Sequence, residues 1–159
     1  MADLKKGMQV WWKREEEGGK EWIRGLVVKL EEDVVTVTAE GRSAEERVDK
    51  GAVLMANPAM LDSVGDLTML SFLHEPGILD VLQKRFQDIY THAGPVLVAI
   101  NPFTPVELYS EEYVKKYVKR PAMGEGSRGY PPHIFLTADQ AFKQVSNSVG
   151  FGLLCRVPW

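Results

Sequence analysis

Residues Gly94 to Ser110 read GPVLVAINPFTPVELYS, an apolar strand pattern that runs directly into a stiff loop with aromatic residues. The run Val96 to Ile100 is rich in branched side chains, which predicts a strand covered on both faces. Asn101-Pro102 ends the strand because proline lacks the N–H that sheet pairing needs, and Pro105 stiffens the loop again. Loops that leave buried strands of α/β sheets often bind ligands, so this segment predicts one half of a nucleotide site.

The composition favours a small module joined to part of a larger domain over a single ordinary domain. The 159 residues are 45% apolar and carry a net charge of −3, so nucleic-acid binding through phosphate neutralisation has little support. The single Cys155 cannot form an internal disulfide. No apolar stretch approaches the roughly 20 residues of a membrane helix. We therefore predict a cytoplasmic protein without a nucleic-acid or membrane partner.

The residues up to about Met55 predict short antiparallel strands separated by turns. In the long second strand Trp22 and Leu30 fall on one face and Val27 on the other, which suits a strand that serves both sides of a small barrel. Four or five short strands in about fifty residues fit an all-β barrel of the SH3-like type. The predicted strands are Gln9–Trp12, Trp22–Glu32, Val34–Thr38 and Glu46–Val48.

The composition changes at Ala56-Asn57-Pro58, the predicted domain boundary, and helical periods follow it. Pro76 suits the first turn of a helix, which we expect to pack on the sheet. Ser110 is an N-cap for a second helix that ends before Pro121, and a third helix follows. The predicted apolar faces are Ile78, Leu79, Leu82 and Phe86 in the first helix, Val114, Tyr117 and Val118 in the second, and Ala138, Ala141, Phe142 and Val145 in the third.

Four ordered segments between Asn57 and Phe142 carry a resemblance to a known family. They read NPAMLDSVGDLTMLSFLHEPGILDVLQKRF, IYTHAGPVLVAINPF, LYSEEYVKKY and PPHIFLTADQAF. In this order and spacing they resemble the N-terminal end of a myosin motor. The resemblance implies an SH3-like barrel at residues 1–56 and, at 57–145, the start of an α/β motor domain of the P-loop NTPase type, with 146–159 as a divergent tail outside the fold. It also implies that the parent protein is an ATP-dependent motor on actin filaments, associated with the cytoskeleton.

The resemblance assigns a role to the loop after the predicted buried strand. In myosins the corresponding loop holds the adenine of ATP, which implies that Asn101, Pro102, Phe103 and Tyr109 are the adenine-binding residues. The chemistry is suitable, since an amide and a hydroxyl can both donate and accept at a purine edge and an aromatic ring gives an apolar wall. Prolines lower the entropy lost when the loop closes around a base. No catalytic or metal-binding residue is predicted.

The sequence departs from the myosin pattern after the third predicted helix. It reads VSNSVGFGLLCRVPW where the family continues into a strand and the phosphate-binding loop GESGAGKT. That loop supplies backbone N–H donors, a lysine for the phosphates and a hydroxyl for magnesium. We therefore expect a truncated fragment that lacks the actin-binding surface. We expect this fragment to bind adenine nucleotide weakly at most and to have no ATPase activity by itself. In the parent family the cofactor is ATP with Mg²⁺.

Two alternatives to a motor fragment stay open from the sequence. Trp11, Trp12 and Trp22 would suit a peptide-binding groove, which would make the barrel a protein-interaction module. The chain would otherwise be a regulatory stub that interferes with the assembly of full-length myosin.

The three histidines, His74, His92 and His133, lack metal-ligand spacing, and GEGSRG from Gly124 to Gly129 is predicted to be a surface turn.

Overall fold

The computed structural model describes residues 4–16, 19–118 and 130–148. The chain divides into two compact units, the first formed by residues up to 64 together with 69–84, and the second by residues 65–68 together with those from 85 onward. The predicted domain limits at 56/57 and 145/146 stay predictions. The predicted turn at Gly124–Gly129 and Cys155 lie outside the described residues. Within the described residues no helix is long and apolar enough to span a membrane.

An antiparallel sheet of five strands makes up most of the first unit. The four predicted strands are confirmed, and the first two extend further towards each other than predicted, since they pair as far as Glu16↔Gly19. The strands are β1 (Gln9–Glu16), β2 (Gly19–Leu30), β3 (Val34–Ala39), β4 (Glu45–Asp49) and β5 (Leu54–Met55). The order β4-β3-β2-β1-β5 is compatible with the predicted SH3-like barrel.

A bulge in β2 determines which of its side chains reach the core. The pairing of β2 with β3 passes from Val27↔Val37 to Lys29↔Thr36, so that Val28 has no residue opposite it. The extra residue brings Leu30 to the face of Val27, where Val27 is part of the core and the partly buried Leu30 packs against it. The predicted placement of Leu30 on the face of Trp22 is therefore wrong. The buried core consists of Val10, Trp12, Val27, Val35, Val37, Ala39 and Val53.

The tryptophans of the sheet are buried or partly buried and do not form a groove. Trp12 is 1% exposed and its Nε1 donates to the Glu46 carboxylate at 3.2 Å. Trp11 is also buried. Trp22 is partly buried, and the Lys13 ammonium lies 4.7 Å from its ring centroid. The peptide-binding groove predicted as an alternative therefore lacks its exposed aromatic surface.

Helix α1 (Glu75–Lys84) belongs to the first unit and begins as predicted, with Pro76 in its first turn. Charged side chains join it to the sheet. Arg24 of β2 contacts Asp80 of α1 at 3.3 Å, and Lys84 contacts the same carboxylate at 2.8 Å. The Asp80 side chain is only 17% exposed, because these contacts draw it towards the sheet.

The predicted apolar face of α1 is only partly correct, since Ile78 and Leu82 are partly buried as predicted. Val81 is its most buried large side chain, whereas Leu79 is exposed, and Phe86 is exposed in a short 3₁₀ turn after the helix has ended. The predicted stripe of α1 and its buried stripe both repeat every three or four residues, so periodicity alone does not identify the buried stripe.

The second unit contains a hairpin of β6 (Tyr90–Ala93) and β7 (Val96–Ala99). Gly94 turns the hairpin at a φ of 61°, and its N–H donates to the Asp66 carboxylate at 3.0 Å. The prediction that β7 is covered on both faces is wrong, because Val96 is 59% exposed. Among the described residues every strand pair is antiparallel apart from one isolated bridge, Asp66↔His92. The α/β class of the P-loop type therefore stays a prediction.

Two helices complete the described part of the second unit, α2 (Glu111–Val118) and α3 (Ile134–Ser148). Ser110 precedes α2 as predicted, and its carbonyl accepts from Val114 N at 3.1 Å. The predicted apolar faces are only partly buried. Tyr117 is buried as predicted, and Leu136 is a buried residue that the prediction omitted. The exposed members of the predicted faces are Val114, Val118, Ala138, Ala141, Phe142 and Val145.

Candidate functional site

The loop that follows β7 carries all four predicted adenine-binding residues. Asn101 Oδ1 accepts from the Phe103 N–H at 2.9 Å, which closes a tight local turn. Phe103 has a φ of 55° and its side chain is 89% exposed. A positive φ is unfavourable for an aromatic residue, so the turn holds Phe103 in a strained position. Pro102 between them is partly buried.

Tyr109 is held at the other end of this loop by a residue that the sequence did not indicate. Its hydroxyl lies 2.6 Å from the hydroxyl of Tyr90 in β6. Burial, and next the hydrogen bond to Tyr109, raise the pKa of Tyr90 to about 12. The Tyr109 ring contacts the rings of His133 at 6.1 Å and Phe135 at 6.4 Å between centroids.

His133 connects the loop to both helices, although its sequence context indicated no function. It is 2% exposed, and its Nε2 lies 3.0 Å from the Leu108 carbonyl oxygen in the loop. Its Nδ1 accepts from the Phe135 N–H at 3.2 Å. The ring stacks on Tyr117 at 4.7 Å. Its place directly before α3 was the available indication, but histidine is not among the favoured N-cap residues.

A cavity of about 540 Å³ lies beside His133 in the second unit, and it does not contain the predicted residues. Leu108 is the loop residue that reaches its wall. Asn101, Phe103 and Tyr109 face elsewhere, on the surface of the loop. The other lining residues include Arg85, Asp88, Tyr113, Lys116, Tyr117 and Tyr130.

The loop exposes an amide and an aromatic ring. Asn101 Nδ2 is left to donate to a ligand, since no described residue accepts from it. The exposed Phe103 ring offers a face for stacking. None of the four residues carries a positive charge for phosphate. The described residues also contain no group of acidic, histidine or cysteine side chains that could hold a metal ion.

The family follows from comparison with known proteins. A sequence model described as "Myosin head (motor domain)" matches residues 64–149, more than half of the chain. The chain belongs to this myosin family. The match covers β6, β7, the loop with its four predicted residues, α2 and α3, so these elements belong to the myosin-head segment. The predicted resemblance to the N-terminal part of a myosin motor is confirmed.

Individual myosins match most of this chain and a small part of themselves. Myosin-3 of Arabidopsis thaliana is 41% identical over 128 residues, which are 78% of this chain and 10% of that protein. Unconventional myosin-Va of Rattus norvegicus is 42% identical over 113 residues, 67% of this chain and 6% of that myosin. Myosin-H heavy chain of Dictyostelium discoideum is 30% identical over 141 residues, 87% and 8% respectively. The chain thus spans a tenth or less of these myosins.

The Tyr90–Tyr109 contact predicts a loss of stability in alkaline solution. An unfolded tyrosine loses its proton at a pH of about 10, whereas folded Tyr90 keeps it up to about 12. The unfolded state therefore binds fewer protons in this window, and stability falls with rising pH by at most about 1.4 kcal/mol per pH unit. Urea unfolding followed by circular dichroism between pH 8 and 11.5 measures this slope. In Tyr90→Phe the slope should be smaller, and an unchanged slope would contradict the assignment.

Proposed function

We propose that this chain is the N-terminal part of an ATP-dependent, actin-based myosin motor, and that the loop of residues 100–110 binds the adenine of ATP. The carrying observation is that the myosin-head match runs through a loop which holds Asn101 and Tyr109 by hydrogen bonds while it exposes the Phe103 ring. In this proposal residues up to 56 are the SH3-like barrel of the myosin and the following residues begin its P-loop NTPase-type motor domain. Actin filaments are the partner of the complete motor, which is associated with the cytoskeleton.

The loop residues would act on the base in three ways. The Phe103 ring would stack on the adenine face, which is an apolar surface. Asn101 Nδ2 would donate to a ring nitrogen at the purine edge. Tyr109, with its hydroxyl already bonded to Tyr90, would contribute a fixed polar group and part of the apolar wall. Pro102 restricts the backbone between Asn101 and Phe103, which lowers the entropy cost of binding.

We propose that this chain binds the base without hydrolysing ATP. The sequence Gly-x-x-x-x-Gly-Lys-Ser/Thr, which cradles phosphates and supplies a magnesium ligand, does not occur in its 159 residues. In the complete motor, the γ-phosphoryl group of ATP would be transferred to water, and Mg²⁺ would neutralise charge on the phosphate oxygens. With base contacts alone, the loss of translational and rotational freedom opposes association, so the affinity should be weak.

The proposal predicts a base-specific, weak interaction of adenosine with the loop. In ¹H–¹⁵N NMR titrations of the full chain, adenosine should shift the amide signals of Asn101, Phe103 and Tyr109, with a dissociation constant on the order of 1 mM or weaker. Pyrophosphate at equal concentration should not shift them. Asn101→Ala should weaken adenosine binding about fivefold, because one hydrogen bond contributes about 1 kcal/mol. Thr104→Ala, an exposed neighbour without an assigned role, is the matched control and should bind as the original chain does.

Two results would count against the proposed function. One is a set of adenosine shifts confined to residues outside 100–110, which would move the base to another surface. The other is displacement of adenosine by pyrophosphate, which would indicate a phosphate site. Burial of Trp11 and Trp12 already counts against the interaction-module alternative. Measured ATP turnover by the purified chain would contradict the proposed lack of hydrolysis.

A further inference from the structure

The two ring nitrogens of His133 have different roles, which fixes the proton on one of them. Phe135 donates its backbone N–H to Nδ1, so Nδ1 must be unprotonated. The proton of the neutral ring is then on Nε2, which donates to the Leu108 carbonyl oxygen at 3.0 Å. Nδ1 thereby caps α3, and Nε2 holds the residue that precedes Tyr109.

Several surroundings of His133 favour the neutral ring. Burial, and then the nearby Lys116 charge, hold the pKa of His133 below its ordinary value of 6.5, against the opposite effect of the Leu108 hydrogen bond. The N-terminus of α3 also disfavours a positive charge. The faces of the stacked tyrosines act in the other direction, since they attract cations. The titratable and charged groups around the ring are Tyr90 of β6, Tyr109 of the loop, Tyr113, Lys116 and Tyr117 of α2, and Arg85, Asp88 and Tyr130 in the cavity wall.

Protonation would place two N–H groups against each other at the start of α3. A proton on Nδ1 would point at the Phe135 N–H, whose nitrogen is 3.2 Å away, and neither group could accept. The ring would have to move, and Nε2 would then no longer be aimed at Leu108. Leu108 is adjacent to Tyr109, so the movement would reach the candidate adenine site.

We propose that neutral His133 is a positioning residue for the loop of residues 100–110, and that its protonation releases Leu108 and Tyr109. The positioning itself rests on the geometry of His133, whereas its effect on ligand binding rests on the proposed adenine function of the loop. Adenine binding should consequently weaken in mildly acidic solution, at a pH below the ordinary histidine pKa of 6.5.

Two substitutions separate the two nitrogens. Asparagine ends where Nδ1 lies and is a favoured N-cap, so His133→Asn should keep the α3 cap and lose the bond to Leu108. Glutamine reaches the position of Nε2, so His133→Gln should keep the bond to Leu108 and lose the cap. Neither side chain titrates near neutral pH. We expect His133→Asn to weaken adenosine binding at pH 7.5 about fivefold. We expect His133→Gln to keep most of the affinity of the original chain.

NMR of the full chain between pH 7.5 and 5 tests the proposal. In the original chain, the ¹⁵N shifts of the His133 ring should report a proton on Nε2 at pH 7.5, and the amide signals of Leu108 and Tyr109 should move with the midpoint of the ring, below 6.5. In both variants these two amides should be insensitive to pH over this range. Unchanged signals of Trp11 and Trp12 serve as the control for an intact first unit.

The outcomes distinguish this inference from the proposed function. If the Leu108 and Tyr109 signals follow the His133 ring but adenosine binds nowhere on the loop, positioning by His133 stands and the adenine function fails. If adenosine binds the loop with the same affinity in His133→Asn and at every pH, the function stands and the inference is overturned. A proton found on Nδ1 at pH 7.5 would also overturn it.

Discussion

Replacing Gly25 by alanine should lower the free energy of unfolding of the five-stranded sheet by at least about 3 kcal/mol. A Cβ at this position would lie 2.0 Å from the Thr38 carbonyl oxygen and 2.7 Å from Cη2 of Trp12. The oxygen belongs to the backbone of β3, which pairs with β2 at Gly25↔Ala39, so relief requires the two strands to separate. Trp12 is buried in the core of the sheet, so a movement of its ring would disturb the packing of the core residues around it.

Urea unfolding followed by tryptophan fluorescence measures this effect, since Trp11, Trp12 and Trp22 all lie in the sheet. Gly51→Ala is the matched control. Its Cβ would approach only the Asp49 carboxylate oxygen, at 3.0 Å, which is the end of a flexible side chain. We expect the control to unfold near the urea concentration of the original chain. Equal midpoints for Gly25→Ala and the original chain would show that the approach of β2 and β3 at Gly25 is wrong.

Replacing Arg85 by methionine should destabilise the second unit by about 3 kcal/mol. Arg85 is buried and its guanidinium is bonded in several directions. Its Nε donates to Thr91 Oγ1 at 3.1 Å and its Nη2 donates to the Tyr90 carbonyl at 3.0 Å. Methionine preserves the apolar stem but leaves the buried Tyr90 carbonyl without this donor, and a buried unsatisfied group costs about 1–3 kcal/mol.

Hydrogen exchange of the hairpin amides measures the loss in the second unit, with His92 N–H as a reporter because it donates to the Gly65 carbonyl at 2.8 Å. Asp88→Asn is the control. It removes the ion pair of 3.1 Å with Arg85, but Asp88 is exposed, so the effect should be below about 1 kcal/mol. If Arg85→Met and Asp88→Asn accelerate exchange equally, the hydrogen bonds from Arg85 to the Tyr90 carbonyl and the Thr91 hydroxyl do not contribute the stability assigned to them.

The strands of the first unit were predictable because their determinants are local. Branched and aromatic residues alternate between clusters of glycine and charged residues, and these patterns identify both a strand and its ends. The bulge at Val28 was not predictable in the same way. It depends on which residue of β3 lies opposite, a pairing that alternation along one strand does not contain.

The burial of the second unit was the least predictable property. The run Val96–Ile100 indicates residues that favour burial, but burial also requires an element to cover them, and Val96 stays largely exposed among the described residues. The same reason explains the exposed apolar positions of α2 and α3. A periodic pattern identifies the apolar face of a helix, but that face is buried only where another part of the structure packs against it.

The candidate site was predicted through its loop and missed in its supports. Asn101, Pro102, Phe103 and Tyr109 followed from resemblance to myosins, and their role in adenine binding stays a proposal. Tyr90 and His133, which hold the loop, are 19 and 25 residues away from their partners Tyr109 and Leu108. Contacts over such distances depend on tertiary structure, so a single sequence gives little indication of them.

The bulge in β2 also affects how this strand should be compared between relatives. If Val28 were absent, Val27 and Leu30 would still face the core, because the remaining residues would alternate without interruption. One residue can therefore be gained or lost at this position without exchanging the two faces of the strand. In an alignment of myosins, a one-residue gap is structurally permitted at position 28, whereas a gap elsewhere in β2 would exchange inward and outward side chains.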